Sequence, residues 1–259
     1  MEIISTACTH QGRRARNEDS HLISPAMRLF AVADGMGGHA GGDVASRLVV
    51  DTVEWFFRSH HSGEQITWPW PIDHDMTLSE NMVRAAVRVA HRKVVSARQG
   101  AVAQMGSTLA MVVLDPRGRA VIGHVGDSRV YRLRDNRLDL LTEDHNVHER
   151  LVREGTPNLP PRHLSPYGSM LTRALGFDQG EWPDGLHGVP DVTTCDVQPG
   201  DTWLLCSDGL LDGFSELQIA ATLAHETPEQ AAASLVSRAY DAGSRDNITA
   251  VVVRVDTLH

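Results

Sequence analysis

TLAMVVLDPRGRAVIGHVGDSRVYRLRDNRLDLL, residues 108–141, holds four strand candidates in close succession. They are Thr108 to Leu114, Ala120 to Val125, Arg129 to Leu133 and Leu138 to Leu141. The joints between them are short; Asp115-Pro116-Arg117-Gly118 is turn chemistry, with proline to fix φ and glycine to close. Strands joined this tightly pair antiparallel, because a parallel pair needs a crossover of a dozen residues or more.

Outward from this block the periodicity changes. Toward the N-terminus, Ser79 to Arg98 spaces Val83, Ala86, Val87, Ala90 and Val94 along one helical face, with Ser79 as the expected N-cap. Asp43 to Phe57 is a second helix, with Val44, Leu48, Trp55 and Phe56 as its expected apolar stripe. Glu2 to Thr9 and Arg28 to Ala33 read as strands. Toward the C-terminus, residues 142–190 are rich in Pro, Gly and His, with one helical piece, His145 to Glu154. Strands resume at Val192 to Val197 and Thr202 to Cys206. Helices follow at Ser215 to His225 and Pro228 to Ala242, and Ile248 to Val255 closes the chain as a strand. This is not regular βαβα alternation; it implies an α+β layering of antiparallel sheets covered by helices.

The 259 residues suffice for a substantial core, and 41% hydrophobic with 22% charged residues is ordinary globular composition. A formal net charge of −9 argues against a nucleic-acid binder and suits a carboxylate site completed by cations. Cys8, Cys195 and Cys206 form no CxxC pair, so neither a disulfide framework nor a structural zinc site is expected. No apolar run approaches the length of a membrane span, and the N-terminal stretch lacks a signal-peptide layout; the cytoplasm is the expected compartment.

The informative feature is a recurring placement of acids. Asn17-Glu18-Asp19, Asp34-Gly35, Gly126-Asp127-Ser128, Ser207-Asp208-Gly209 and Arg245-Asp246-Asn247 each set an aspartate near a strand end. Carboxylates gathered at one sheet edge repel one another unless cations neutralise them, and oxygen-only ligands select hard ions such as Mg²⁺ or Mn²⁺. Any one Asp-Gly is by itself an ordinary turn. DGMGGHAGG, residues 34–42, is either a phosphate-cradling nest or a plain helix entrance; it is neither a Walker loop nor a GxGxxG site. Six residues beyond Cys206 stands Asp212 rather than an arginine, and there is no GxSxG elbow, so a cysteine nucleophile at Cys206 and serine-hydrolase chemistry are disfavoured.

Taken together, eight stretches resemble the metal-dependent PPM (PP2C-type) protein phosphatases in their bacterial form. They are Gly12–Asp19, Val32–His39, Met105–Leu109, Val125–Tyr131, Leu141–His145, Leu171–Gly176, Cys206–Leu210 and Ser244–Thr249, in the family's order and across nearly the whole chain. The resemblance implies a single domain over 1–259, a four-layer αββα sandwich, with a flap at 146–170. It implies that Asp34 bridges two tightly bound Mn²⁺ or Mg²⁺ ions, with the Gly35 carbonyl on one and Asp208 and Asp246 on the other. Glu18 and Asp19 would hold metal-bound waters, Arg14 the substrate phosphate, and Asp127 a third, weaker ion. The implied partners are phosphorylated proteins and a cognate serine/threonine kinase, with no nucleic acid or membrane, and the protein is expected to be a monomer.

Three features depart from the pattern. Asn146 stands where bacterial relatives carry serine, His39 is separated from Asp34-Gly35 by Met36-Gly37-Gly38, and the loop His60–Thr77 carries Trp68-Pro69-Trp70-Pro71 outside any motif. The chemistry expected of such a site is direct: paired cations about 4 Å apart acidify a bridging water and neutralise the phosphoryl oxygens for in-line attack. A metal-dependent phosphodiesterase or nuclease would use the same aspartates but lacks a basic stripe here. A silent binding module would have lost Asp34, Asp208 or Asp246, and all are present.

Overall fold

The computed structural model describes residues 1–37, 41–61, 69–115, 117–177, 190–211 and 214–257. His39, Trp68 and Pro116 lie outside the described residues.

β5 (Leu109–Asp115), β6 (Arg119–Val125), β7 (Arg129–Arg134) and β8 (Arg137–Leu140) follow one another. The strand block pairs antiparallel at two of its three short joints, β5–β6 and β7–β8. The third is corrected: the strands on either side of Gly126–Ser128 do not pair, because the chain changes sheet between β6 and β7. One sheet runs β2 (Asp19–Ser24), β3 (Leu29–Met36), β5, β6, β9 (Asp191–Asp196), with the two-residue β4 (Gly106–Ser107) beside β3. The other runs β1 (Glu2–His10), β11 (Ile248–Thr257), β10 (Thr202–Cys206), β7, β8. Every pairing among these strands is antiparallel.

Central strands that are apolar on both faces must be covered on both faces. In β3, Leu29, Ala31 and Ala33 pack under α1 (Gly42–His61) and α2 (Leu78–Ala97), while Phe30 and Val32 face the second sheet. In β11, Ile248, Ala250 and Val252 meet α4 (Glu216–His225) and α5 (Pro228–Asp241), while Val251, Val253 and Val255 fill the space between sheets. Trp203 and Phe30, both fully buried, anchor that middle layer. The order is helix, sheet, sheet, helix, as the resemblance implied.

Two local expectations are corrected. Thr77, not Ser79, caps α2: its hydroxyl accepts from the Glu80 N–H, and Glu80 returns a bond to the Thr77 N–H. Ser79 sits inside the first turn and donates to Asp115 instead. In α1 the buried stripe is Ala45, Val49, Val53 and Phe56, leaving Val44 and Trp55 exposed. Apolar residues surround more than one face of this helix, so periodicity alone allowed a stripe rotated by one position. In the loop before α2, Trp70 lies against the guanidinium groups of Arg92 and Arg88, 4.5 and 5.4 Å from its ring centre, which gives that residue a packing role.

Candidate active site

Antiparallel pairing places the acids. Asp19 opens β2 and is the cross-strand partner of Asp34 in β3. Asp127 follows β6, Asp208 follows β10, and Asp246 precedes β11. Both sheets therefore deliver carboxylates to one end of the sandwich.

Backbone and hydroxyl groups fix them there. The Asp34 N–H donates to Thr108 Oγ1 at 2.9 Å, and its carbonyl accepts from the Thr108 N–H at 2.9 Å and from Ser107 Oγ at 3.0 Å. Asp19 Oδ2 accepts from Ser207 Oγ at 2.7 Å and Thr249 Oγ1 at 2.6 Å. The Glu18 carbonyl accepts from the Gly35 N–H at 3.1 Å, and the Glu18 N–H donates to Asn247 Oδ1 at 2.8 Å. Asn247 also donates to the carbonyls of Gln11 and Arg16, so one buried side chain ties the loop bearing Arg14 and Glu18 to the strand bearing Asp246.

The crowding is electrostatically costly. Burial, and then Asp19, Asp208, Asp127 and Asp246, push the Asp34 carboxyl well above its ordinary range. Burial raises Asp19 to about 7 against the pull of its two hydroxyl donors, with Asp208 and Asp246 adding to the rise. Burial and Asp208 raise Asp127 to about 8. Two arginines temper the repulsion. Arg14, more than half exposed, bonds Asp246 Oδ2 at 2.5 Å. Arg162, from the 146–170 segment, donates to Asp127 Oδ2 at 2.9 Å and lies 3.1 Å from Asp144 Oδ2 and 3.6 Å from Asp208 Oδ2. Asp144 in turn accepts from Nε and Nη2 along one edge of the Arg129 guanidinium, at 2.7 and 2.8 Å.

These residues fit hard cations. The donors are oxygens only. Asp19 Oδ1 is shielded from solvent with no hydrogen-bond partner among the described residues, an arrangement that is expensive unless a cation or its water faces it. Gly42 leaves room beside the cluster: a Cβ there would come 2.6 Å from Glu18 Oε1 and 2.8 Å from the Gly35 carbonyl oxygen. A cleft of about 230 Å³ opens between Arg14, Asp208 and Asp246 on the sandwich and Arg162, His163 and Ser165 on the segment above it.

Every site residue expected from the sequence is thus at this end of the molecule, Arg14 among them. Sequence reasoning missed Arg162, Asp144 and Asn247. Asp144 and Asn247 stood inside motifs but carried no assigned role; Arg162 sits in NLPPRHLSP, where no periodicity marks a charged side chain as inward-facing.

An antiparallel four-layer sandwich with a carboxylate cleft at one end defines the architectural class of the metal-dependent phosphatases. The model of the family Protein phosphatase 2C matches residues 8–239. The serine/threonine protein phosphatase PstP of Mycobacterium tuberculosis is 34% identical over 242 residues, 93% of this chain; the chain spans 43% of that relative's length. The serine/threonine phosphatase stp of Listeria monocytogenes is 31% identical over 260 residues, 96% of this chain and 94% of the relative. Among solved structures, the catalytic domain of the protein phosphatase PstP in complex with two manganese ions superposes with a TM-score of 0.79 at 32% identity, covering 98% of this chain and 99% of that one. The chain belongs to the protein phosphatase 2C family.

Proposed function

We propose that this chain hydrolyses phosphoserine and phosphothreonine monoesters on proteins, acting as one domain with 146–170 as a flap. The observation that carries this reading is the convergence of Asp19, Asp34, Asp127, Asp208 and Asp246 at one end of the sandwich, where Asp208 and Asp246 line a cleft edged by two arginines. Asp34, the Gly35 carbonyl, Asp208 and Asp246 would hold a tight pair of Mn²⁺ or Mg²⁺ ions, with Glu18 and Asp19 behind them and Asp127 on a weaker third. When bound, the cations supply Lewis acidity that neutralises phosphoryl oxygens and acidifies a water. The chain's own residues do the rest. Asp34, pinned through both its N–H and its carbonyl, has little freedom to turn from the cleft. Arg14 uses one amino group on Asp246, and its planar fork leaves further donors for a phosphate dianion.

The relative named PstP was solved with two manganese ions, which supports the paired site. The relatives' names support a phosphoprotein substrate and hence an opposing serine/threonine kinase. No helix among the described residues is long and apolar enough to cross a membrane; a cytoplasmic monomer is part of the same proposal. The test is phosphate release from a phosphothreonine peptide with Mn²⁺, with and without EDTA. Turnover that EDTA leaves intact would sink the proposal.

Arg14→Ala is expected to weaken peptide and inorganic-phosphate binding by about ten- to a hundredfold, the range for a charged hydrogen bond. The KM and the phosphate inhibition constant measure it; if neither moves, the phosphate is held elsewhere. Asp127→Ala is expected to lower kcat on phosphopeptides while calorimetry still finds the tight pair filled. Because Asp127 also anchors Arg162, the flap's contact with the cleft should loosen in the same variant. Unimpaired peptide turnover with unchanged stoichiometry at millimolar Mn²⁺ would reduce Asp127 to a turn residue.

A further inference from the structure

Behind Asp127 lies a hydrogen-bonded chain that the proposed mechanism does not use. Gly126 is clasped by His145 from both sides. Its N–H donates to His145 Nδ1 at 3.0 Å, and its carbonyl accepts from the His145 N–H at 2.7 Å. Gly126 has little freedom to relax: its φ is +109°, and a Cβ would meet Thr108 side-chain atoms at 2.6 Å.

Because Nδ1 accepts, the proton of the neutral ring sits on Nε2, which donates to Asp191 Oδ2 at 2.9 Å. Asp191 is itself held by Arg173 at 2.6 Å. Burial would raise the Asp191 carboxyl, but the bonds from His145 and Arg173 outweigh it and hold Asp191 below the usual carboxylate range. His124 stacks on the imidazole with ring centres 4.6 Å apart. Its own ring nitrogens are buried without hydrogen-bond partners among the described residues, and burial and then His145 lower its pKa to about 3. His124, His145 and Asp191 bring possible ligand atoms within 4.8 Å of one another, as a cation site would. The tautomer rules that out here: His145 has no lone pair to spare, and Arg173 Nη1 stands 2.9 Å from Nε2.

The same residue closes the stem of the flap. The His145 carbonyl accepts from the Thr172 N–H at 2.8 Å, and the next residue, Asn146, bridges to Leu171 and caps α3 (Val147–Arg153) through the Glu149 N–H. The turn carrying Asp127 and both strands of the flap stem thus meet at one residue, the turn through the imidazole and backbone N–H of His145 and the stem through its backbone carbonyl.

We propose that His145, oriented by Asp191, is the positioning residue that fixes the Gly126–Asp127 turn against the flap stem and so aims the Asp127 carboxylate at the cleft. The inference rests on the phosphatase reading for its kinetic consequence and on the Gly126 clasp alone for its structural one. Asn and Gln separate the two ring bonds. His145→Asn places an amide oxygen near Nδ1 and can keep the Gly126 bond while losing Asp191. His145→Gln reaches toward Asp191 and leaves the Gly126 N–H without an acceptor.

Two measurements are made on the full chain. The first is kcat and KM on a phosphothreonine peptide at saturating Mn²⁺; the second is amide hydrogen exchange across residues 125–128 in EDTA. His145→Gln is expected to lose about tenfold in kcat at unchanged KM, within the loss of up to about a hundredfold that a small misplacement causes. Its exchange at 125–128 should rise by a similar factor, while His145→Asn stays within about threefold of wild type in both. Equal losses in the two variants, or wild-type kcat and exchange in His145→Gln, would overturn the proposal. If His145→Gln does not fold, Asp191→Asn decides. It should fold with faster exchange at 125–128 and a lower kcat, and wild-type behaviour in both would overturn the proposal. A wild-type protein without peptide turnover would sink the phosphatase reading instead, and exchange would still report whether His145 holds Gly126.

Discussion

Asp34→Asn is expected to abolish phosphopeptide hydrolysis while leaving the fold intact, and Asp208→Asn and Asp246→Asn are expected to do the same. Loss of a partner behind a metal ligand typically costs about 10- to 100-fold, and loss of a ligand shared by two ions should cost more. The fold should survive because Asp34 anchors its strand through backbone groups: the N–H to Thr108 and the carbonyl to Ser107 and Thr108. Asparagine keeps both. It also removes a charge from a cluster in which burial and four neighbouring aspartates already push the carboxyl up, so the melting temperature without metal should not fall. Steady-state turnover at saturating Mn²⁺ checks the first half and a melt in EDTA the second. Substantial activity in any of the three variants would sink the metal assignment.

The second large effect concerns pH. Asp19 and Asp127 titrate near 7 and 8 in the folded chain, above the ordinary aspartate value. Between that ordinary value and the raised ones the folded state binds more protons than the unfolded state. The slope of unfolding free energy with pH is then negative, so stability is lost as pH rises from about 4 to about 8. In EDTA the melting temperature should fall by several degrees between pH 5.5 and pH 8. Millimolar Mn²⁺ should remove most of that fall, because cations bind the ionised carboxylates and stabilise the folded state by mass action. Thermal melts at the two pH values, with and without Mn²⁺, check this. An apo protein more stable at pH 8 than at pH 5.5 would show that burial and the neighbouring acids do not hold these carboxyls above their ordinary range.

Much of this was legible in the sequence because strong local chemistry agreed with tertiary need. β10 matches its sequence boundaries, and the buried face of α2 is the one its periodicity marked. β2 escaped notice because a polar residue holds an inward position: Ser20 is buried and its hydroxyl lies 3.0 Å from that of Ser46 in α1, which breaks the alternation a strand would show. Short turns gave the β5–β6 and β7–β8 hairpins, but long-range pairing was not readable. Nothing local tells that β1 lies against β11, or that the chain changes sheet after β6. The acids were legible because Asp-Gly and Gly-Asp-Ser recur at strand ends and resemble a family pattern. Arg162 was not, because its role depends on how a proline-rich segment folds back over the cleft.

Titration of Mn²⁺ into metal-stripped wild-type and Asp34→Asn protein, followed by calorimetry, tests the central claim most directly. The expected result is two tight ions and a weaker third in the wild type, with the tight pair lost in Asp34→Asn. Tight binding of two ions in both proteins would show that Asp34 does not bridge them.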